Sequence, residues 1–190
     1  MNSELLSIQF CGFGGQGVIL ASVIFGTAAV KGRSYEAVQT QSFGSEARGG
    51  ECQAELLISK DTIYSPTADF IDILVGMSDL AFNRYLGRLR KSGDVLIDPD
   101  LVKTPSRENC KIYFIEANKI ARDLEFQLAG NMVFLGALQR LTQLITAENL
   151  FDAICENVNK KYQDINISAA KRGIEVMSAQ LSRENSDAPL

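Results

Sequence analysis

Two glycine-rich segments carry the residue types best suited to chemistry in this chain. The first is Gly12-Phe13-Gly14-Gly15-Gln16-Gly17, which follows one apolar stretch and leads into another. Because glycine has no Cβ, its backbone amides can approach an anion closely, and the N-terminus of a following helix attracts negative charge. The segment matches the pattern G-x-G-x-x-G. It therefore predicts a strand–loop–helix unit that binds a phosphate-bearing ligand.

The second segment runs from Ser42 to Gly50 and contains Arg48 followed by Gly49. The planar guanidinium group of arginine is well suited to a bidentate contact with phosphate or carboxylate. Arg48 either holds a ligand or partner or is an ordinary solvated arginine, and its glycine-rich setting favours the first. The candidate ligand-binding residues are Gly12, Gly14, Gly15, Gln16, Gly17, Arg48, Gly49 and Gly50.

Two interpretations of the first segment stay open. Glu36 follows it by about 20 residues, where an acid binds ribose in dinucleotide folds, so NAD or FAD binding is one hypothesis. The other is that the glycines serve only a tight turn and the close packing of helix against sheet. Asn131, at the start of a later helix, is interpreted as an N-cap.

The residue types that the chain lacks exclude several kinds of catalytic and metal site. The chain has no histidine, which removes Ser-His-Asp and Cys-His catalysis and histidine metal sites. Its four cysteines include no C-x-x-C pair, so this chain alone is not expected to ligate zinc or an iron–sulfur cluster. Asp98-Pro99-Asp100 is interpreted as a solvated turn rather than a metal site. We predict no catalytic residue and no metal ligand.

Composition indicates one domain covering residues 1–190. The chain has 190 residues, of which 46% are hydrophobic, and this is enough for one packed core. A net charge of −4 without a basic block argues against nucleic acid as a partner. No apolar run approaches the roughly 20 residues that span a bilayer, and the start lacks a basic leader. A cytoplasmic location is the expectation.

Strand and helix patterns alternate along most of the chain. Strands are predicted at 7–11, 34–40, 51–58, 70–77, 95–97 and 111–116, and helices at 16–31 and 79–91, the second ending at Gly93. From residue 118 the period is helical, with a last helix at 165–181 and a frayed tail at 183–190. The pattern predicts an α/β fold: a doubly wound, largely parallel sheet with helices on both faces and a helical C-terminal part.

Four segments together resemble a known family. They are residues 10–18, 45–50, 73–78 and 131–137. These segments are similar to the gamma subunit of 2-oxoacid:ferredoxin (or other acceptor) oxidoreductases, and the resemblance covers about residues 7–181. A separate gamma chain of this length most resembles that of the 2-oxoglutarate enzymes. The pyruvate, 2-oxoisovalerate and indolepyruvate enzymes, which have similar gamma chains, remain the alternatives.

The resemblance implies a reaction that this chain does not perform alone. The family oxidatively decarboxylates a 2-oxoacid with coenzyme A, and 2-oxoglutarate would yield succinyl-CoA, CO₂ and reduced acceptor. Thiamine diphosphate, magnesium and iron–sulfur clusters are implied on alpha, beta and delta subunits, so the isolated chain is expected to be inactive. A subunit that docks on others is expected to carry a large apolar or arginine-anchored surface, through which the isolated chain would associate as a homodimer. The resemblance makes Glu36 incidental. It leaves open whether the glycine segments bind coenzyme A or only a partner subunit.

Overall fold

The computed structural model describes residues 5–32, 35–43, 50–105 and 110–187. Within these ranges six strands form one sheet, with the order β2-β3-β1-β4-β5-β6. The strands are β1 Leu6–Phe13, β2 Glu36–Phe43, β3 Glu51–Ser59, β4 Ile71–Gly76, β5 Leu89–Ile97 and β6 Lys111–Phe114.

The sheet is largely parallel, as the sequence predicts. Strands β1, β4, β5 and β6 pair in parallel, whereas β3 pairs antiparallel with both β1 and β2. Among the described strands β3 is therefore the only one that runs in the reverse direction. The connection from β2 to β3 is too short for a parallel crossover, which needs a dozen residues or more, so these two strands form a hairpin.

Six α-helices lie in the described ranges: α1 Val18–Lys31, α2 Asp79–Leu86, α3 Ala117–Asp123, α4 Gly130–Thr142, α5 Ala147–Asn157 and α6 Gln163–Asp187. None of these is long and apolar enough to cross a membrane. Side chains alternate across the sheet, so that Ile8 and Phe10 enter one core with α1, α4, α5 and α6, while Cys11 enters a second core with α2. The predicted α/β fold, with helices on both faces and a helical C-terminal part, is confirmed.

The boundary between α2 and β5 differs from the prediction of a helix over 79–91. The helix ends at Leu86, and the next strand already begins at Leu89, which is buried in the second core. Gly93 lies inside this strand, where an added Cβ would come within 2.9 Å of the Asp72 carbonyl oxygen. Glycine is therefore needed at this position because β5 passes close to the backbone of β4, and not because it ends a helix.

The last helix runs to Asp187, beyond the predicted end at residue 181. The Gln180 side chain donates to the Phe114 carbonyl at 2.8 Å and accepts from the Phe114 amide at 3.1 Å. These two bonds satisfy the backbone groups of Phe114 at the open edge of β6 and attach the helix to the sheet. Most of the predicted tail at 183–190 is thus helical, and residues 188–190 lie outside the described ranges.

Helices α4 and α6 approach each other most closely at two glycines. A Cβ on Gly136 would overlap the backbone of Ala170, and a Cβ on Gly173 would overlap the backbone of Val133. Neither backbone can move without displacing a whole helix. The absence of side chains at these two positions therefore sets the distance between the two helices.

Candidate functional site

The first glycine segment lies at the carboxyl end of β1, beside the carboxyl end of β4. From β1 the chain proceeds to β2 and β3 on one side and later to β4, β5 and β6 on the other. Ligands of open α/β sheets bind at such a switch point. The amide of Met77, just after β4, donates to the Cys11 carbonyl at 2.8 Å and so holds the two strand ends together.

The side chain of Gln16 shapes the glycine loop. Its Oε1 accepts from the Phe13 amide at 2.7 Å, and its Nε2 donates to the Met77 carbonyl at 2.8 Å. The Gln16 amide in turn donates to the Phe13 carbonyl at 3.2 Å, which closes a tight turn. Both polar ends of this side chain are therefore engaged inside the protein, and its role is to hold the loop in shape.

Two glycines of the loop have backbone angles that side chains disfavour. Gly15 has φ 97° and Gly17 has φ 74°. Gly12 is needed for a different reason, because an added Cβ would lie 2.5 Å from Oε1 of Gln16 and 3.0 Å from Cβ of Met77. The loop thus depends on glycine through both conformation and close packing.

The second glycine segment meets the first at one backbone contact. The Gly14 amide donates to the Gly50 carbonyl at 3.0 Å. Arg48 and Gly49 lie outside the described residues, so their candidate roles stay predictions. The Gly14 amide is thus engaged, whereas the amides of Gly15, Gly17 and the first turn of α1 have no partner among the described residues. No acidic residue is present in that first turn.

A cavity of about 360 Å³ opens in front of the loop. Its lining combines polar and apolar side chains from the loop, the segments that follow β4 and β5, and helices α3 and α4. The lining residues are Gly15, Gln16, Met77, Leu101, Ala117, Asn118, Arg122, Gln127, Leu128, Gly130, Asn131 and Phe134. Arg122 was not among the sequence candidates, because nothing local distinguishes it from other arginines on helices.

Asn131 does not cap its own helix, so the N-cap interpretation is wrong. The cap of α4 is Ala129, and Asn131 lies inside the first turn. Its Nδ2 instead donates to the Gly17 carbonyl at 3.2 Å and joins α4 to the start of α1. The position of an asparagine within a strongly apolar helix indicates that its side chain has a polar partner. The sequence does not identify that partner, because Gly17 is 114 positions away.

Asp98 is a buried structural carboxylate rather than part of a solvated turn. It accepts hydrogen bonds from the amides of Asp100 at 3.0 Å and Asn118 at 2.8 Å. Burial raises the pKa of the Asp98 carboxyl group, and the two amide hydrogen bonds act in the opposite direction. These bonds fix the start of α3 and hence the cavity wall that contains Asn118 and Arg122.

The described residues do not build a metal centre. Across 5–32, 35–43, 50–105 and 110–187, no three acidic, cysteine or histidine side chains gather in one place. Cys11 and Cys52 are buried, and burial raises the pKa of both thiols. A protonated, buried thiol is neither a nucleophile nor a metal ligand.

Glu36 lies at the wrong end of the sheet for a ribose-binding acid. It pairs with Ser59 at one end of β3, whereas Gly12 pairs with Cys52 at the other end. Its carboxylate accepts from the Ile63 amide at 3.2 Å. The register therefore contradicts the dinucleotide role of Glu36 and agrees with its interpretation as incidental.

The fold and the site define a doubly wound α/β domain with a glycine loop and a cavity at the switch point. The chain belongs to the pyruvate ferredoxin/flavodoxin oxidoreductase family, whose model matches residues 7–176. It is 41% identical over 172 residues to "2-oxoglutarate synthase subunit KorC" of Methanocaldococcus jannaschii, covering 89% of this chain and 92% of that protein. Relatives named for ketoisovalerate, pyruvate and indolepyruvate are 24% to 31% identical.

Two solved structures share the fold. The keto/oxoacid ferredoxin oxidoreductase gamma subunit of Geobacter sulfurreducens is 33% identical, with a TM-score of 0.80, covering 92% of this chain and 99% of that one. The 2-oxoglutarate:ferredoxin oxidoreductase of Magnetococcus marinus, solved with 2-oxoglutarate, coenzyme A and succinyl-CoA bound, is 21% identical with a TM-score of 0.85. It matches 94% of this chain but 32% of the longer chain, and this likeness concerns the fold alone.

Proposed function

We propose that this chain is the gamma subunit of a 2-oxoglutarate:ferredoxin oxidoreductase. The enzyme converts 2-oxoglutarate and coenzyme A to succinyl-CoA and CO₂ and passes two electrons to an iron–sulfur acceptor. The observation that carries the proposal is the 41% identity to a 2-oxoglutarate synthase subunit over nearly its whole length. The lower identities to relatives named for other 2-oxoacids make the pyruvate, 2-oxoisovalerate and indolepyruvate enzymes the alternatives.

The chemistry of this chain fits a division of labour between subunits. The sequence has no histidine, and its described cysteines and carboxylates form no cluster of three. These residues do not fit an iron–sulfur cluster, so we assign the clusters, thiamine diphosphate and magnesium to alpha, beta and delta partner subunits. Decarboxylation and electron transfer then take place on those chains.

We further assign to the glycine segments a phosphate of coenzyme A. The amides of Gly15 and Gly17 and the N-terminus of α1 suit an anion. The Gly14 amide also contacts the carbonyl of Gly50, which follows Arg48 by two positions in the sequence. The cavity volume accepts one end of coenzyme A rather than the whole molecule. The competing hypothesis is that both segments contact only a partner subunit.

Replacing Arg48 by Ala in the assembled enzyme is expected to raise KM for coenzyme A about ten- to a hundredfold. Losing one charge-assisted contact with phosphate costs about 1.5–3 kcal/mol. Thiamine loading and the decarboxylation half-reaction should change little, because they occur on other chains. Steady-state kinetics with varied coenzyme A measures the effect, with Arg172→Ala on the exposed surface of α6 as the control.

The yield of assembled enzyme separates the two hypotheses for Arg48. An unchanged KM together with loss of complex would show that Arg48 joins subunits, and the assignment to coenzyme A would then be wrong. A raised KM at normal yield supports the ligand role.

Co-purification from the native host tests the subunit assignment. We expect a thiamine-binding chain and a cluster-bearing chain to be recovered with this one, and the complex to prefer 2-oxoglutarate over pyruvate, 2-oxoisovalerate and indolepyruvate. The isolated chain should show no 2-oxoacid oxidation with a dye acceptor. Robust turnover by the isolated chain, or binding of NAD or FAD in calorimetry, would contradict the proposal.

Exposed apolar side chains mark where we expect partner subunits to dock. Those more than half exposed among the described residues are Phe43, Tyr64, Phe70, Leu80 and Leu128. Large apolar groups on a surface are typical of interaction sites when they are contiguous. Without its partners the chain is expected to associate with itself as a homodimer, which sedimentation analysis would detect.

A further inference from the structure

Strand β2 forms one edge of the sheet and lacks the features that usually protect such an edge. It pairs with β3 over its whole length without a bulge, and no described backbone group hydrogen-bonds to its outer side. Between Glu36 at its start and Phe43 at its end, the strand contains no charged residue and no proline. A long, regular and uncharged edge is a template for pairing with another strand.

An apolar groove lies beside this edge, between β2 and α1. Its volume is about 410 Å³, and Val23 and Val30 of α1 line it together with Ala37 and Gln39 of β2. Helix α1 has no charged residue before Lys31, and Val30 is 48% exposed. Because a helix that is apolar on all sides is typically buried on all sides, the side of α1 toward the groove calls for a covering protein surface.

The side chain of Gln39 gives an independent reason to expect a partner at this groove. Its Nε2 atom is inaccessible to solvent and has no acceptor among the described residues. A buried amide group without a partner is unfavourable. A second amide side chain would satisfy it in either orientation, because an amide offers both a donor and an acceptor.

We propose that two copies of this chain pair antiparallel through β2, about a two-fold axis at Thr40. Side chains directly opposite in such a pair lie on the same face of the joined sheet. Gln39 then faces Gln41 of the second copy. Ala37, at the groove, faces Phe43 of the second copy, a side chain that is 66% exposed in the single chain.

In this register the strand complements itself. The large Phe43 meets the small Ala37 beside the apolar groove, the Gln41 amide reaches Gln39, and symmetry makes each contact occur twice. A shift of the register loses both contacts. The two Glu36 carboxylates lie eight residues apart along the paired strands, about 27 Å, so no like charges meet. The proposal gives a surface to the self-association expected under the proposed function, but its argument does not depend on the reaction.

Sedimentation of the full chain with a matched pair of variants tests this surface. Phe43→Ser is expected to weaken self-association at least about tenfold, because it removes an apolar contact that occurs twice. Phe70→Ser is the control: Phe70 is 58% exposed but lies just before β4, at the opposite end of the sheet, and its loss should leave self-association unchanged. A chain that stays monomeric at its highest soluble concentration, or equal effects of the two substitutions, would overturn the proposal.

Disulfide formation tests the register. Opposite residues of an antiparallel pair have Cα atoms about 4.5–5.5 Å apart, within the range of about 4.4–6.8 Å that a disulfide spans. Thr40→Cys is therefore expected to give a linked dimer under mild oxidation, with the linked peptide identified by mass spectrometry. Ser42→Cys, on the same face, should not link, because its counterpart lies four residues along the strand, about 14 Å away.

Two results would assign the edge of β2 differently. Equal linkage at Thr40→Cys and Ser42→Cys would indicate random collision and contradict the paired strands. A free chain that stays dimeric with Phe43→Ser, combined with a lower yield of the assembled enzyme, would show that another subunit covers β2. Either result would overturn the proposal and leave the assignment of the reaction untouched.

Discussion

Replacing Gly136 by Ala is expected to destabilise the protein by about 3 kcal/mol, despite the higher helix propensity of alanine. The new methyl group would overlap the carbonyl oxygen of Ala170 on α6. Because that atom belongs to the backbone, α4 and α6 must move apart, and both contribute to the larger core. In a chain of this size the loss corresponds to a Tm lower by about 10 °C in a calorimetric scan.

Gly130→Ala is the matched control on the same helix. An added Cβ there has its nearest neighbours at 3.9 Å and 4.0 Å, which is ordinary contact, and its φ of −57° is helical. We expect no loss and a gain of up to about 1 kcal/mol from helix propensity. Equal stability of the two variants would contradict the close approach of α4 and α6.

Replacing Gly17 by Ala has the second large expected effect, about 3 kcal/mol of lost stability. Alanine at φ 74° costs about 1–2 kcal/mol, and the new Cβ would also overlap the Asn131 amide group. Gly15→Ala provides the comparison, since Gly15 also has positive φ, but no atom of the described residues lies within 4 Å of a Cβ added there. The Gly15→Ala variant should lose only the stability that the unfavourable backbone conformation costs, about 1 kcal/mol.

A double-mutant cycle isolates the contact between Gly17 and Asn131. In the Asn131→Ala background the overlap is gone, so Gly17→Ala should then cost about as much as Gly15→Ala. The difference is a coupling of about 1–2 kcal/mol, measured by urea unfolding of the four proteins. Strict additivity would show that Asn131 does not contact the loop in solution.

Local patterns in the sequence predict the parts of the fold that depend on neighbours along the chain. Ser78 and Thr146, both of residue types that favour a helix N-cap, cap α2 and α5, because each hydroxyl accepts from an amide three residues later. The glycine loop between β1 and α1 is also where the motif predicts it. In these cases the residues that determine the local structure are neighbours in the sequence.

The errors concern contacts between distant segments. The helix predicted over 79–91 ends early because Leu89 pairs with Ile71 in the sheet, a tertiary preference that overrides helical periodicity. Likewise the partner of Asn131 is the carbonyl of Gly17, and the cavity position of Arg122 depends on how α3 meets the switch point. No window of sequence around these residues contains that information.

The two hydrogen bonds of the Gln16 side chain have a kinetic consequence. They join the segments after β1 and β4 through the protein alone, so the loop reaches its working shape when the chain folds. Under the proposed function, the anion bound there does not have to order this backbone first, and its association is then limited by encounter and by charge rather than by rearrangement. Salt should therefore slow ligand capture at this loop, since it screens the attraction that brings an anion to the cavity.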